Sequence, residues 1–295
     1  MYRFGCDAQK IVLTAISIIT GLSFMQPALA NLLGVDFTTG ELYSISETNA
    51  AKTPIGNTGI AGAWADIQLA PNGTLYGFTI GSGTTPKLYS INSTTAAPTL
   101  IGSLNLGTSV VVYEGALAFA PNGTAYAMNS GRTTNDNLFT INLATGSATS
   151  LGQVTGAANI DINGLAYRSD GKLIGLENDS NSLVVIDPTT RVLTTLAAVP
   201  TTIGSVGGMT VESGVGYYVT AGPGAFAPGS DDLYSFNLSN GTSTLIGNLG
   251  FTDAGLSGLA AVPVPVPSAP AICGILLAAL IMLELSTRRD RSPRP

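Results

Sequence analysis

The sequence predicts an all-β fold, a five-bladed β-propeller, from three observations. A short run that begins with Leu and ends with Ile or Phe recurs five times. Other short apolar runs stand before and after each copy in the same order. Asn-Gly and Asp-Gly pairs separate some of these runs, and such pairs accept the positive φ that a two-residue hairpin requires. Four strands in each of five units is the period of a propeller, and a solenoid is the competing repeat architecture.

One complete unit, residues 114–152, shows the pattern. It contains four short apolar runs separated by turn-forming residues, which predicts a four-stranded antiparallel sheet. Some runs, such as residues 183–186, are apolar on both faces, as a sheet covered on both sides requires. The recurring runs begin at Leu42, Leu88, Leu138, Leu183 and Leu233. The unit therefore repeats about every 45 to 50 residues, in the range of propeller repeats.

The ends of the repeat region predict how the ring closes. The last unit lacks the strand that follows a hairpin turn, and a matching run stands at residues 32–35. When both are aligned on the next recurring run, residues 32–35 match residues 75–78. We predict that this N-terminal strand completes the fifth blade beside residues 233–237 and closes the propeller. Closure would remove the exposed sheet edges.

Residues 1–30 have the layout of a secretory signal peptide. A basic start and an apolar core precede the small residues Ala28 and Ala30. The pattern predicts a signal helix that signal peptidase cleaves before Asn31. An uncleaved anchor helix is the alternative. The repeat domain is then residues 31–262.

The composition of residues 31–262 excludes several function classes. Fifteen acidic and six basic side chains give these residues a net charge of −9, with no basic stripe, so nucleic-acid binding is disfavoured. The chain has no His, and both cysteines, Cys6 and Cys273, lie outside the repeats. Nucleophile systems that need His, and metals held by His, are therefore excluded. No nucleotide-binding motif occurs, and we expect no cofactor and no bound metal.

The last 33 residues differ from the repeats. Residues 263–270 form a Pro-rich linker, residues 271–287 a transmembrane helix, and residues 288–295 an Arg-rich tail in our prediction. The apolar run is short for a hydrocarbon core of ~30 Å. A short helix can still span the membrane when its flanking residues snorkel or the bilayer thins locally. Arginines directly after the run predict a cytoplasmic C-terminus.

This tail resembles the PEP-CTERM sorting signal, which joins a Pro-x-Pro-Ser motif, a short apolar helix and an Arg-rich end. The matching residues are Pro265, Val266, Pro267, Ser268, Arg288 and Arg289. Val266 stands where the family has Glu. The resemblance implies an exosortase-type sorting enzyme as a partner. The repeats, for example residues 164–187, are similar to NHL and YVTN-type propeller repeats of exported bacterial proteins, which implies the fold but no single activity.

The turn lengths predict where a site would lie. Hairpins such as residues 71–74 and 121–124 occupy one face and leave little room for a site, whereas longer connections such as residues 103–112 lie on the opposite face. Loops on a rigid scaffold commonly carry function. The candidate ligand-binding residues at that mouth are Trp64, Asp66, Tyr113, Glu114, Asp161 and Asp253.

These side chains allow a cation site or a sugar-binding mouth, with Trp64 as a stacking platform. In the plainer interpretation the carboxylates are solvated or accept backbone N–H groups. A third interpretation pairs two carboxylates as a glycosidase, which requires them ~5–10 Å apart. We expect no catalytic residue here.

The predicted function follows from these parts. We expect an exported, membrane-anchored surface or envelope propeller that acts as a non-enzymatic binding or matrix-associated module. Its ligand would be a surface polysaccharide or a protein. The alternative is a carbohydrate-active enzyme that uses carboxylates at the propeller mouth.

Overall fold

The computed structural model describes residues 31–81, 85–107, 110–130, 136–200, 207–220 and 231–262. These residues form twenty β-strands in five four-stranded antiparallel sheets. The predicted signal peptide, linker, transmembrane helix, sorting motif and Arg-rich tail lie outside them. Within the described residues, no helix has the length and hydrophobicity to cross a membrane.

Each sheet is one blade, and its strands run in order from the ring centre to the rim. The second blade contains β4 (Trp64–Leu69), β5 (Leu75–Thr79), β6 (Lys87–Ile91) and β7 (Pro98–Ser103). The third contains β8 (Glu114–Phe119), β9 (Ala125–Ser130), β10 (Asn137–Ile141) and β11 (Ala148–Gln153). The fourth contains β12 (Ile162–Tyr167), β13 (Leu173–Glu177), β14 (Ser182–Ile186) and β15 (Leu193–Ala198). The fifth contains β16 (Gly207–Glu212), β17 (Val215–Thr220), β18 (Asp232–Asn237) and β19 (Ser243–Asn248).

The first blade joins the two ends of the repeat region. Its inner strand is the last of the chain, β20 (Leu256–Val262), followed outward by β1 (Asn31–Asp36), β2 (Glu41–Ser46) and β3 (Lys52–Asn57). Five blades are thus confirmed, and the N-terminal strand takes part in closure. Backbone hydrogen bonds join the two ends of the repeat region, because β1 pairs with β20 on one side and with β2 on the other.

The predicted partner of the N-terminal strand was wrong. Residues 233–237 lie in β18, whose neighbours are β17 and β19. The reason is that residues 215–220 form a strand of their own, which completes the fifth blade without help from the N-terminus. The first strand is needed instead by β20, which has no other partner in its sheet.

The turns at the ends of the first hairpins have the predicted chemistry. Gly73 and Gly123 adopt φ of 80° and 88°, and the side-chain oxygen of Asn72 accepts the N–H of Thr74 at 2.9 Å. These hairpins lie at the lower face, which we define as the end of the ring where the inner strands finish. The upper face is the end where those strands begin.

The core lies between blades, in five apolar clusters that each join neighbouring sheets. The inner strands pack so closely that glycine is required. A Cβ on Gly258 would lie 2.4 Å from the backbone nitrogen of Ile67, and one on Gly208 would lie 2.4 Å from that of Leu259. Tight backbone contact between inner strands therefore sets the diameter of the ring.

Candidate functional site

The six predicted site residues lie on, or shortly before, the inner strands of four different blades. Trp64 and Asp66 belong to the inner strand of the second blade, and Glu114 begins that of the third. Asp161 and Asp253 lie in the connections that lead into the fourth and first blades. Tyr113 precedes β8 and is 37% exposed, so its ring is the accessible aromatic of the set.

Trp64 lies in the core. Its side chain is fully buried, its ring meets that of Tyr89 edge-on at 5.6 Å, and its indole nitrogen donates to the hydroxyl of Thr58 at 3.0 Å. A stacking platform needs an exposed ring face, so the structure corrects the role proposed for Trp64. Burial of the aromatic body with a partner for its N–H is the usual arrangement for Trp in a core.

Asp66 is also fully buried and joins three inner strands. One carboxylate oxygen accepts the N–H of Ile67 at 2.8 Å, and the other accepts the N–H of Leu117 in the third blade at 2.7 Å. The N–H of Leu259, in the closing strand, is a third donor. Burial raises the pKa of Asp66 well above its usual value, against the lowering effect of these donors. The residue is a structural tie between blades.

Asp161 belongs to a group at the upper face of the fourth blade, the fourth-blade group, defined by Asp161, Glu177 and Asp179. The hydroxyl of Ser130 donates to Asp161, and the N–H of Asp161 donates to Glu177 at 3.3 Å. Glu177 also accepts the N–H of Ser180 at 2.7 Å and that of Asp179 at 3.2 Å. Partial burial, and then the charges of Asp161 and Glu177, raise the pKa of Asp179. These bonds hold the turn between β13 and β14.

Asp253 belongs to a second group, the closure group, with Asp36 and Asp231, where the fifth blade meets the first. Asp36 and Asp231 are buried, and Asp231 accepts the N–H of Leu256, the first residue of β20, at 3.1 Å. Burial is the main cause that raises the pKa of Asp231 to about 8, and the nearby Asp253 and Asp36 raise it further. Burial likewise raises the pKa of Asp36.

An equivalent carboxylate serves the fourth blade. Asp136 stands before β10 as Asp231 stands before β18, and it accepts the N–H of Ile162, the first residue of β12, at 2.8 Å. Both aspartates thus bind the first N–H of the inner strand in the next blade. In the part of the chain that the structure describes, neither these two groups nor any other set of acidic side chains has an arrangement that could hold a metal ion.

Sequence reasoning missed a cavity at the lower face, in the opening of the central channel. It has a volume of about 400 Å³ and is lined by the ends of four inner strands, β4, β8, β16 and β20, and by the hairpin after β4. A smaller space of about 80 Å³ adjoins it beside β8 and β12. The lower face therefore contains a cavity, although the turn lengths predicted little room for a site there.

One signal for this cavity was present in the sequence. Equivalent positions near the lower ends of the inner strands differ in size, and the first blade has the smallest side chain. They are Leu69, Phe119, Tyr167, Val211 and Ala261. A methyl group where the other blades have larger side chains leaves space beside β20.

Comparisons with known proteins bear on the fold and on nothing finer. No protein-family model matches the sequence, and a search of curated proteins found no match. Among solved structures, a nidogen/laminin complex is similar with a TM-score of 0.50 at 12% identity, covering 79% of this chain and 98% of that one.

Two bacterial structures are similar at lower scores. A Bacteroides thetaiotaomicron protein of unknown function has a TM-score of 0.49 at 16% identity, covering 73% of this chain and 64% of that chain. A TolB protein described as putative in its own name, from Agrobacterium tumefaciens, has a TM-score of 0.47 at 13% identity over 77% and 85%. At these identities a likeness concerns the fold alone. The β-propeller assignment rests on the five four-stranded sheets of the structure itself.

Proposed function

We propose that this protein is an exported, non-enzymatic binding module, held at the cell surface or envelope by its C-terminal segment. The observation that carries the non-enzymatic part is the use of the carboxylates. Asp66, Asp231 and Glu177 each accept N–H groups of their own scaffold, at distances between 2.7 and 3.3 Å. Carboxylates that order strands and turns in this way support a rigid surface for binding.

Rigidity of the scaffold supports the same role. The blades form a closed ring and are joined to one another by backbone hydrogen bonds and buried carboxylates. A scaffold held in this way loses little conformational entropy when it binds a partner. The partner we propose is a surface polysaccharide or a surface protein.

Export and anchoring rest on the sequence outside the described residues. Signal peptidase would cleave after Ala30, and residues 271–287 would hold the domain in the membrane. The Val266 variant of the sorting motif would be the substrate of an exosortase-type enzyme. The C-terminus would lie in the cytoplasm until that processing occurs.

Deletion of residues 269–295 is expected to move the protein from the envelope fraction into the culture medium. The reason is that the truncated chain keeps its export signal but loses the apolar segment that would retain it. Immunoblots of cell fractions measure the change, and the full-length chain is the control. In the same experiment, surface polysaccharide incubated with either chain should gain no new reducing ends.

Three results would count against the proposal. Full-length chain already free in the medium would exclude the anchor, and truncated chain retained inside the cell would exclude export. New reducing ends in proportion to the amount of protein would favour the glycosidase alternative. The cell-fraction immunoblots and the reducing-end measurement are independent, so they test the proposed location and the proposed absence of enzymatic activity separately.

A further inference from the structure

The cavity at the lower face, which we call the lower cavity, exists because the first blade has small residues at its inner end. Ala260 and Ala261 stand on β20, between the larger residues of the neighbouring inner strands. Leu69 and Phe119 line it from the second and third blades, and Val211 lines it from the fifth. The wall is thus mainly apolar and open to the lower face.

A network of hydrogen-bonded side chains lies in the channel on the upper side of this cavity. The side-chain amide of Gln68 donates to the carbonyl oxygen of Met209 at 3.1 Å, which links the second blade to the fifth across the first. The hydroxyl of Thr210 donates to the amide oxygen of Gln68 at 3.0 Å and accepts the N–H of Ala261 at 3.2 Å. Because these polar groups satisfy one another, a ligand in the cavity gains mainly from apolar contact.

The charge that lines the cavity is negative. Glu212 ends β16 at the opening of the cavity, and its carboxylate accepts an exposed hydrogen bond from the hydroxyl of Ser213 at 2.9 Å. The basic side chain that follows β12, Arg168, pairs with Asp170 at 3.1 Å. Residues 31–262 carry a net charge of −9 by residue count, so the field around the domain favours a cationic ligand.

We propose that the lower cavity binds a short peptide segment in which an aromatic side chain stands next to a basic one. The aromatic ring lies against Leu69, Phe119 and Val211, in the space that Ala261 leaves. The basic group lies at the opening of the cavity, beside Glu212. A volume of about 400 Å³ suits a ligand of dipeptide size, since small-molecule sites span ~300–1,000 Å³. The inference deepens the proposed binding role, and it names the ligand class and the site.

The test uses the purified full-length chain and three capped dipeptides: N-acetyl-Lys-Phe-amide, N-acetyl-Glu-Phe-amide and N-acetyl-Lys-Ala-amide. Calorimetric or NMR titration at low salt is expected to show Lys-Phe binding at least about fivefold more tightly than either of the others. Glu212→Gln should weaken Lys-Phe binding by about two- to fivefold, as for an exposed ion pair. Ala261→Phe, which fills the space, should weaken it by at least about tenfold.

Two further variants complete the test: a second one that fills the cavity, and a control. Ala261→Leu gives the first blade the residue that the second blade already has at Leu69, and it should also block binding if Ala261→Phe does not fold. Leu245→Ala removes an apolar side chain that is 54% exposed on the outer strand of the fifth blade, and it should leave binding unchanged.

Several results would overturn the proposal. These are absence of binding by Lys-Phe, equal binding by Glu-Phe, and undiminished binding to folded Ala261→Phe or Ala261→Leu. Self-association that is lost in those variants, without any peptide binding, would assign the cavity to a second copy of the chain instead. None of these results depends on where the protein is located, so export and anchoring are judged separately by the deletion experiment.

Discussion

Replacing Asp66 with Ala is expected to lower the free energy of unfolding by about 3 kcal/mol at pH 4, because it leaves buried N–H groups on three inner strands without an acceptor. Each unpaired buried donor costs ~1–3 kcal/mol, and part of that cost is relieved by relaxation of the site. Chemical denaturation of the variant and the wild type measures the difference. Ala116→Gly, at the equivalent position of the third blade, is the matched control and should cost less than about 1 kcal/mol.

The pH dependence of this difference gives a second check. Because burial raises the pKa of Asp66 above its unfolded value, the folded protein keeps a proton that the unfolded chain releases. The contribution of Asp66 to stability is therefore fully present below the unfolded pKa of about 3.9, and it falls as pH rises above that value. The difference in the free energy of unfolding between wild type and Asp66→Ala should be largest at acid pH and should decrease towards neutral pH. A gap that widens with pH would mean an ionised carboxylate stabilised by its donors.

Replacing Gly208 with Ala is expected to destabilise the ring by about 3 kcal/mol, because there is no room for a methyl group between the inner strands of the fifth and first blades. The added Cβ would lie 2.4 Å from the backbone nitrogen of Leu259 and 2.6 Å from the carbonyl carbon of Gly258. Backbone atoms cannot move aside as a flexible side chain can. Thermal or denaturant unfolding measures the loss.

A glycine within a blade provides the control for Gly208. A Cβ on Gly175 would approach side-chain methyl groups of Ile162 and Val184 at 3.2 and 3.3 Å, which can shift by a few tenths of an ångström. Gly175→Ala should therefore cost less than about 1 kcal/mol. Equal losses in the two variants would contradict the view that inner-strand contact sets the diameter of the ring.

The fold was readable from the sequence because its signals are local and repeated. The recurring runs that begin at Leu42 and its four equivalents are the third strands of the five blades, and the Asn-Gly pairs are the hairpins. The error concerned the boundary between blades. Each unit was counted from a recurring run, so the last unit joined residues 233–237 with residues 256–262, although these strands belong to different blades. The N-terminal strand pairs with residues 256–262, and residues 215–220 pair with residues 232–237.

The candidate site was less readable because it depends on contacts between distant residues. Asp66 accepts the N–H of Leu117, which is 51 positions away, and nothing near Asp66 in the sequence predicts that partner. Burial of Trp64 depends on the neighbouring blade in the same way. A carboxylate that is exposed at a mouth and one that joins two strands have the same local sequence. The lower cavity had a sequence signal in Ala261, but only alignment of all five inner strands reveals it.

The central claim is that the ring closes by pairing of β1 with β20. Asn31 is opposite Val262, and Leu32 is opposite Ala261. One of these adjacent pairs is of the non-hydrogen-bonded type, whose shorter Cα separation suits a disulfide. Cysteine pairs at both positions, in a chain with Cys6 and Cys273 replaced by Ser, test the claim on a non-reducing gel.

A disulfide between the two strands ties the ends of the domain into one large loop, and the denatured chain then migrates faster. We expect oxidation to produce this band in at least one of the two cysteine pairs and to produce none between Asn31→Cys and Asn237→Cys in β18. Cross-linking of the β18 pair, with neither β20 pair reacting, would contradict the closure described here.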